Sequence, residues 1–215
     1  MKNILRPAVA ADRDAIIALY KKVSRISGGL ARGEEEVTVE YISDIIEKTQ
    51  KQAGIHFVMV QVPEGDGSSA RAAGADQPAG SGLTGPHAAA GAIIGEIHCY
   101  KPDLKCFDHM LSDLTIAVDP DCQGQGIGKA LFTAVLDEVR ANRKDILRVE
   151  LLTADSNKRA LAFYQSLGFT IEGRMPNRYR PPASVANPGD PPGATAFETD
   201  IPMAWMNPNY AAAGA

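Results

Sequence analysis

No apolar run in the sequence approaches the roughly 20 residues that a membrane-spanning helix needs. There is no CxxC pair, and the three cysteines, Cys99, Cys106 and Cys122, form an odd set. That usage suits a reducing compartment and argues against a disulfide framework. Residues 1–10 lack the apolar core of a secretory signal, so the cytoplasm is the expected location. Basic runs are also missing: 22 Lys and Arg stand against 26 Asp and Glu, for a net charge of -4. Nothing here offers the electrostatic footprint that grips a phosphodiester backbone, and nucleic acid is not an expected partner. Internal repeats of useful length are absent. What remains is a chain of 215 residues, 45% hydrophobic, long enough to bury one sizeable core and expected to form a single domain over residues 1–215.

The periodicity of that core alternates between two patterns. The run ILRPA at residues 4–8 is β-prone, and Ile16, Leu19, Tyr20 and Val23 then recur on one helical face, with Asp12 or Asp14 as cap. Gly28 and Gly29 break the pattern before Val39, Ile42 and Ile46 resume it. Residues 56–62 and 92–100 are rich in β-branched and apolar side chains and predict two strands. Between them, residues 63–90 carry Gly, Ala, Ser and Pro without a periodic apolar face, as expected of a flexible hairpin insertion; residues 180–196 have the same character and predict a proline-rich loop. Strands are expected at 114–118, 148–153, 169–173 and 197–206, and helices from Ile127 and over 158–167, the last closed by Gly168. The order implies a mixed α/β sheet of about seven strands flanked by about four helices.

The segment QGQGIG, residues 123–128, falls where a strand gives way to a helix. Backbone N–H groups without Cβ atoms in the way can converge there on an anion, helped by the positive end of the helix dipole, so a phosphate is the natural guest. Two familiar phosphate loops do not fit. A Walker loop requires Gly at 123 and Ser or Thr at 130, where Gln123 and Ala130 stand; a dinucleotide fingerprint requires Gly at 129 or 131, where Lys129 and Leu131 stand.

The stretch VDPDCQGQGIGKAL resembles the coenzyme A-binding signature of the GNAT superfamily of N-acetyltransferases, through Gln123, Gly126 and Gly128. A second stretch, TADSNKRALAFYQSLGF, is similar to that superfamily's second motif, with Asn157, Ala160 and Tyr164 on matching positions, and Ile4 to Pro7 is a weaker echo of its first strand. The resemblance covers residues 114–173 and implies a single-domain GNAT-like fold whose sheet splays beside residues 114–118. It also implies acetyl-CoA as cofactor, its pantetheine arm on the backbone of Ile116, Ala117 and Val118 and its pyrophosphate on the amides of Gln123, Gly124, Gln125, Gly126, Ile127, Gly128 and Lys129. Asn157 would contact the arm, besides serving as a helix cap. Lys129, Lys158 or Arg159 would reach the outer phosphates.

The activity so implied is direct transfer of an acetyl group to a primary amine, on a small metabolite or a protein or peptide, in a chain that forms a homodimer by default. Such transfer needs a neutral nitrogen, a stabilised oxyanion and a proton for the departing thiolate. Tyr164 matches the superfamily's general acid. For the base, Glu96 is an acid inside an apolar strand, where burial would raise its pKa, and Asp113 lies just before the strand at 114–118. Leu114 occupies a position where many relatives carry a glutamate, which leaves an acyl-CoA-binding sensor without turnover as the alternative. No metal is expected: His98, Cys99, Cys106 and His109 match no standard ligand spacing. Cys122 lacks an assigned histidine partner for covalent catalysis. Glu34, Glu35 and Glu36 are read as helix-start charge rather than a substrate lure.

Overall fold

In a computed structural model, residues 1–26, 28–64, 91–181 and 196–211 are described. Most of the two low-complexity segments, 65–90 and 182–195, lies outside the described residues, and with it most of the expected insertion and proline-rich loop. The elements run β1 (Lys2–Pro7), α1 (Arg13–Val23), α2 (Val39–Lys51), β2 (Ile55–Val62), β3 (Ala92–Tyr100), β4 (Met110–Val118), α3 (Ile127–Asn142), β5 (Arg148–Ala154), α4 (Lys158–Ser166), β6 (Thr170–Ile171), β7 (Met175–Tyr179) and β8 (Glu198–Met206). One sheet takes the order β1-β2-β3-β4-β5-β8-β6, with β7 also paired to β8. The eighth strand is β7, whose MPNRY offers no apolar alternation to announce it.

Two cores sandwich this sheet. On one side α3 presents Ile127, Leu131, Phe132, Val135, Leu136 and Val139 to Ile94, Ile97 and Val149. On the other, Ile16, Leu19, Tyr20 and Val23 of α1 and Ile42, Ile45 and Ile46 of α2 pack on Val58, Val60 and Ala117. Val39 does not join them; it is the first residue of α2 and is exposed, and Ile45 takes the place expected of it.

Asp12 stands at the start of α1 but makes no cap bond. Its carboxylate instead forms a fork with Arg6 at 2.7 and 2.7 Å and accepts from the Val9 amide at 2.9 Å, tying β1 to the helix. Burial raises its pKa, but the Arg6 and Val9 bonds outweigh that and hold the carboxyl below its ordinary value. Stability from this group is therefore complete above the unfolded carboxyl pKa, roughly 3.9, and is lost as the pH falls through the lower folded value. Asp12→Asn leaves Arg6 without its counter-charge and is expected to cost about 3 kcal/mol, read from urea unfolding at pH 7, with the difference from wild type shrinking below about pH 4.

Candidate active site

Among the described residues, strands β4 and β5 are the one parallel pair, and they pair only at Met110 with Arg148 and Leu111 with Val149. Immediately beyond, β4 bulges: Tyr100 faces Ser112 but His98 faces Thr115, and Asp113 takes φ +52° to absorb the extra residue. The bulge turns β4 away from β5. Residues 115–118 keep their ladder to β3, while no strand among the described residues covers their other edge. Because buried backbone groups seek partners, an open strand edge inside a fold is a site for an extended ligand.

A cleft of about 620 Å³ fills the split. Leu114, Thr115, Ile116 and Val118 form one wall and Leu152, Thr153 and Ala154 the other; Gly28 to Ala31 lie across it, and Asn157, Ala160 and Tyr164 of the α4 region line it. Ala117, from the same strand, is 1% exposed and packs under α1, so any contact it makes with the cleft passes through its backbone.

The cleft reaches Gln123, where the glycine loop begins. Gly124 and Gly126 sit at φ +79° and +80°, a left-handed conformation that disfavours L side chains, and an added Cβ at either would meet nothing within 4 Å. The amides of Gly124, Gln125 and Gly126 have no acceptor among the described residues. Gly126 caps α3, whose first turn adds further free donors. Ile127, the first residue of α3, turns its side chain into the core and contributes only its amide. The result is an open cradle of donors at a helix N-terminus, the form an anion such as a pyrophosphate requires.

Gly128 differs from its neighbours. A Cβ there would stand 3.7 Å from Val118 and 3.8 Å from Ile116, ordinary contact distances. Gly128→Ala should therefore fold normally and raise stability by up to about 1 kcal/mol through helix propensity, a change visible in the melting temperature.

Around the cradle several charged side chains are engaged. Arg159 reaches Gln123 Oε1 at 3.4 Å, and Lys158 is held by Asp155 at 2.9 Å. Lys22 of α1 bridges Asp119 and Asp121 at 2.6 and 2.7 Å. Lys129 is exposed. Burial and the Asp119 charge push the Cys122 thiol up, which leaves it protonated and weakly nucleophilic.

Asn157 caps α4, its Oδ1 accepting from the Ala160 amide at 3.1 Å, and its Nδ2 donates to the Gly28 carbonyl at 3.4 Å. One side chain thus ties the α1–α2 loop to α4 across the cleft. Tyr164 packs its ring against Phe132, Phe163 and Phe169 at centroid distances of 5.3, 5.6 and 6.2 Å, with the cleft beside it. Burial raises its pKa to about 12, so the phenol keeps its proton across the neutral range.

The two acids proposed for the base do not line this cleft. Glu96 is 0% exposed under α1, where Tyr20 Oη donates to Oε2 at 2.6 Å and His98 Nδ1 lies 2.8 Å from Oε1. The expected rise in its pKa is reversed: burial pushes upward, but His98 and His56 outweigh it and hold the carboxyl at about 2. Asp113 is exposed on the bulge. The carboxylates on the cleft wall are Glu198 and Asp200, near Tyr179. They were not anticipated; their only trace is an acidic i, i+2 pair at the head of β8, on one face of a strand whose place between β5 and β6 no local signal gives. Nor are His98, Cys99, Cys106 and His109 brought together: Cys99 faces the α3 core and Cys106 is exposed, so neither joins His98 under α1. Glu34 is engaged by Arg25 at 2.5 and 2.7 Å, and Glu36 accepts from the Gly33 amide.

Residues 86–171 match the family model described as acetyltransferase (GNAT) domain. The [ribosomal protein bS18]-alanine N-acetyltransferase of Escherichia coli K12 is 41% identical over 66 residues, 31% of this chain and 43% of that protein. The mycothiol acetyltransferase of Beutenbergia cavernae is 47% identical over 55 residues, 26% of this chain and 18% of that protein. The chain thus spans less than half the length of these curated relatives. Among solved structures, a GNAT superfamily phosphinothricin acetyltransferase from Sinorhizobium meliloti, in complex with AcCoA, superposes with a TM-score of 0.69 at 16% identity, covering 100% of this chain and 95% of that one. The region that matches the GNAT model spans β3, β4, the glycine loop, α3, β5 and α4, and the fold is single-domain and GNAT-like, with eight strands and four helices among the described residues. Among the described residues no helix is long and apolar enough to cross a membrane.

Proposed function

We propose that this protein is an acetyl-CoA-dependent N-acetyltransferase that transfers the acetyl group directly to a primary amine in a ternary complex. The observation that carries the reading is the departure of β4 from β5 after Leu111, which opens an unpaired strand edge leading to the amide cradle at residues 123–128. Bound acetyl-CoA would supply the activated thioester. Ile116, Ala117 and Val118 hold the arm through their backbone, and the amides from Gly124 to Lys129 hold the pyrophosphate; the Gln123 amide, expected to join them, donates instead to the Pro120 carbonyl at 3.3 Å. Asn157 fixes the width of the cleft by tying its two sides together. Tyr164, protonated at neutral pH, donates its proton to the departing thiolate. The relatives' names include a protein-alanine acetyltransferase and a mycothiol acetyltransferase, and for this chain the acceptor is an amine of a small metabolite or of a protein or peptide. Glu198 faces the acceptor and favours one that arrives with positive charge, while the charge of Asp200 is met by Arg178 at 3.2 Å; water in the cleft carries the acceptor's proton away. A homodimer is the proposed assembly.

Thiol release from acetyl-CoA, followed across a panel of primary amines, tests this reading. Release that depends on the amine supports it. Tight cofactor binding with no release from any amine would replace it with the sensor, a role that the missing strand glutamate at Leu114 would then explain.

A further inference from the structure

The face of the sheet beneath α1 and α2 carries a group of side chains that the transfer chemistry does not use. His56 on β2 and His98 on β3 stand directly opposite each other in the antiparallel register, and Glu96 precedes His98 by two residues. The period of a strand therefore sends all three side chains to the same face. His56 Nε2 and His98 Nδ1 approach one oxygen, Glu96 Oε1, at 2.7 and 2.8 Å. A ligand atom from each residue lies within 4.8 Å of the others. The three side chains are 7, 0 and 2% exposed for His56, Glu96 and His98, so water does not compete for these atoms.

Two observations separate this group from a self-contained hydrogen-bond network. His56 Nε2 is buried and makes no hydrogen bond of regular geometry, although it lies 2.7 Å from Glu96 Oε1. A buried nitrogen left this way costs about 1 to 3 kcal/mol, and a shared ion would satisfy it through its lone pair. The second observation is chemical. Two imidazole nitrogens with one carboxylate form a donor set taken by zinc and its first-row neighbours, not by magnesium or calcium, which favour oxygen throughout. Tyr20 Oη donates to the free oxygen Oε2 at 2.6 Å and fixes the carboxylate as outer partners of metal ligands do.

We propose that His56, Glu96 and His98 form a buried binding site for a divalent transition-metal ion, with zinc the best match to the donors. Bonds of about 2.0 to 2.1 Å place tetrahedral ligands roughly 3.3 Å apart, so the two short contacts open by about half an ångström when the ion enters between them. The ion pins β2 to β3 and, through Tyr20, α1 to the sheet. His98 faces Thr115, which lines the cleft from β4, so the staple sits behind the cleft wall and outside the cleft. Its role is structural, and it stands or falls independently of the acetyl transfer.

Because the site is sealed, the ion is expected to enter during folding. The full chain, refolded with Zn²⁺ or with EDTA and freed of unbound metal, is assayed for bound metal and melting temperature; Co²⁺ serves as a spectroscopic probe. The expected result is one ion per chain, a melting temperature roughly 5 to 10 °C above the EDTA sample, and visible Co²⁺ absorption bands. His56→Ala, which removes the ring whose Nε2 is unpaired, should fold and lose stoichiometric uptake. Substoichiometric metal with an unchanged melting temperature for both ions in the wild-type chain overturns the proposal, even if the variant fails to fold. Full uptake by His56→Ala overturns it as well, since the ion would then lie elsewhere.

Discussion

Gly126→Asp is expected to abolish measurable acetyl-CoA binding while leaving a folded protein. The substituted Cβ meets nothing within 4 Å, so the protein itself offers no steric objection. Backbone strain at φ +80° is modest for aspartate, which tolerates the left-handed region better than most residues. What changes is charge. A carboxylate about 4 Å from a phosphate at an effective dielectric near 20 is repelled by about 4 kcal/mol, or close to a thousandfold in affinity. Gly126→Asn separates the two effects, because it imposes similar strain without the charge. The asparagine variant should lose no more than about tenfold, and the gap between the variants, measured by calorimetry, is the electrostatic contribution of the cradle. Equal losses in both would mean that the loop's shape, and not an anion held in it, is what matters.

Tyr164→Phe is expected to lower kcat roughly ten- to a thousandfold while acetyl-CoA affinity stays within about twofold. The ring provides the packing against Phe132, Phe163 and Phe169, and phenylalanine keeps that packing. Only the hydroxyl is lost, and with it the proton for the thiolate. Because burial holds the Tyr164 pKa at about 12, the wild-type rate should show no alkaline loss from this group up to about pH 10. A variant that weakened cofactor binding without lowering kcat would assign Tyr164 to packing.

The local conformation around these two residues was legible in the sequence. Gly126 declares its left-handed φ by being glycine at a strand-to-helix junction, and Tyr164 falls between its cap, Asn157, and its terminator, Gly168, both of which behave as their residue types predict: Asn157 Oδ1 caps the first turn and Gly168 sits at φ +92°. Glu96 was misjudged for the opposite reason. An acid in an apolar strand reads as a carboxylate made more basic by burial, but its pKa is set by His56, 40 positions earlier, and by His98, and its second oxygen by Tyr20 on α1. Strand register and helix docking bring these groups together, and neither is written in any window of the chain. The bulge at Asp113 and the insertion of β8 between β5 and β6 are likewise long-range outcomes, and they place the splay of the sheet and the two cleft acids.

The account rests on the cleft between β4 and β5 as the seat of acetyl-CoA, and calorimetric titration of the wild-type chain with acetyl-CoA tests it most directly. Saturable binding of one molecule per chain, lost in Gly126→Asp and kept in Tyr164→Phe, is the predicted result. A folded wild-type protein that takes up no acetyl-CoA would contradict the account at its centre.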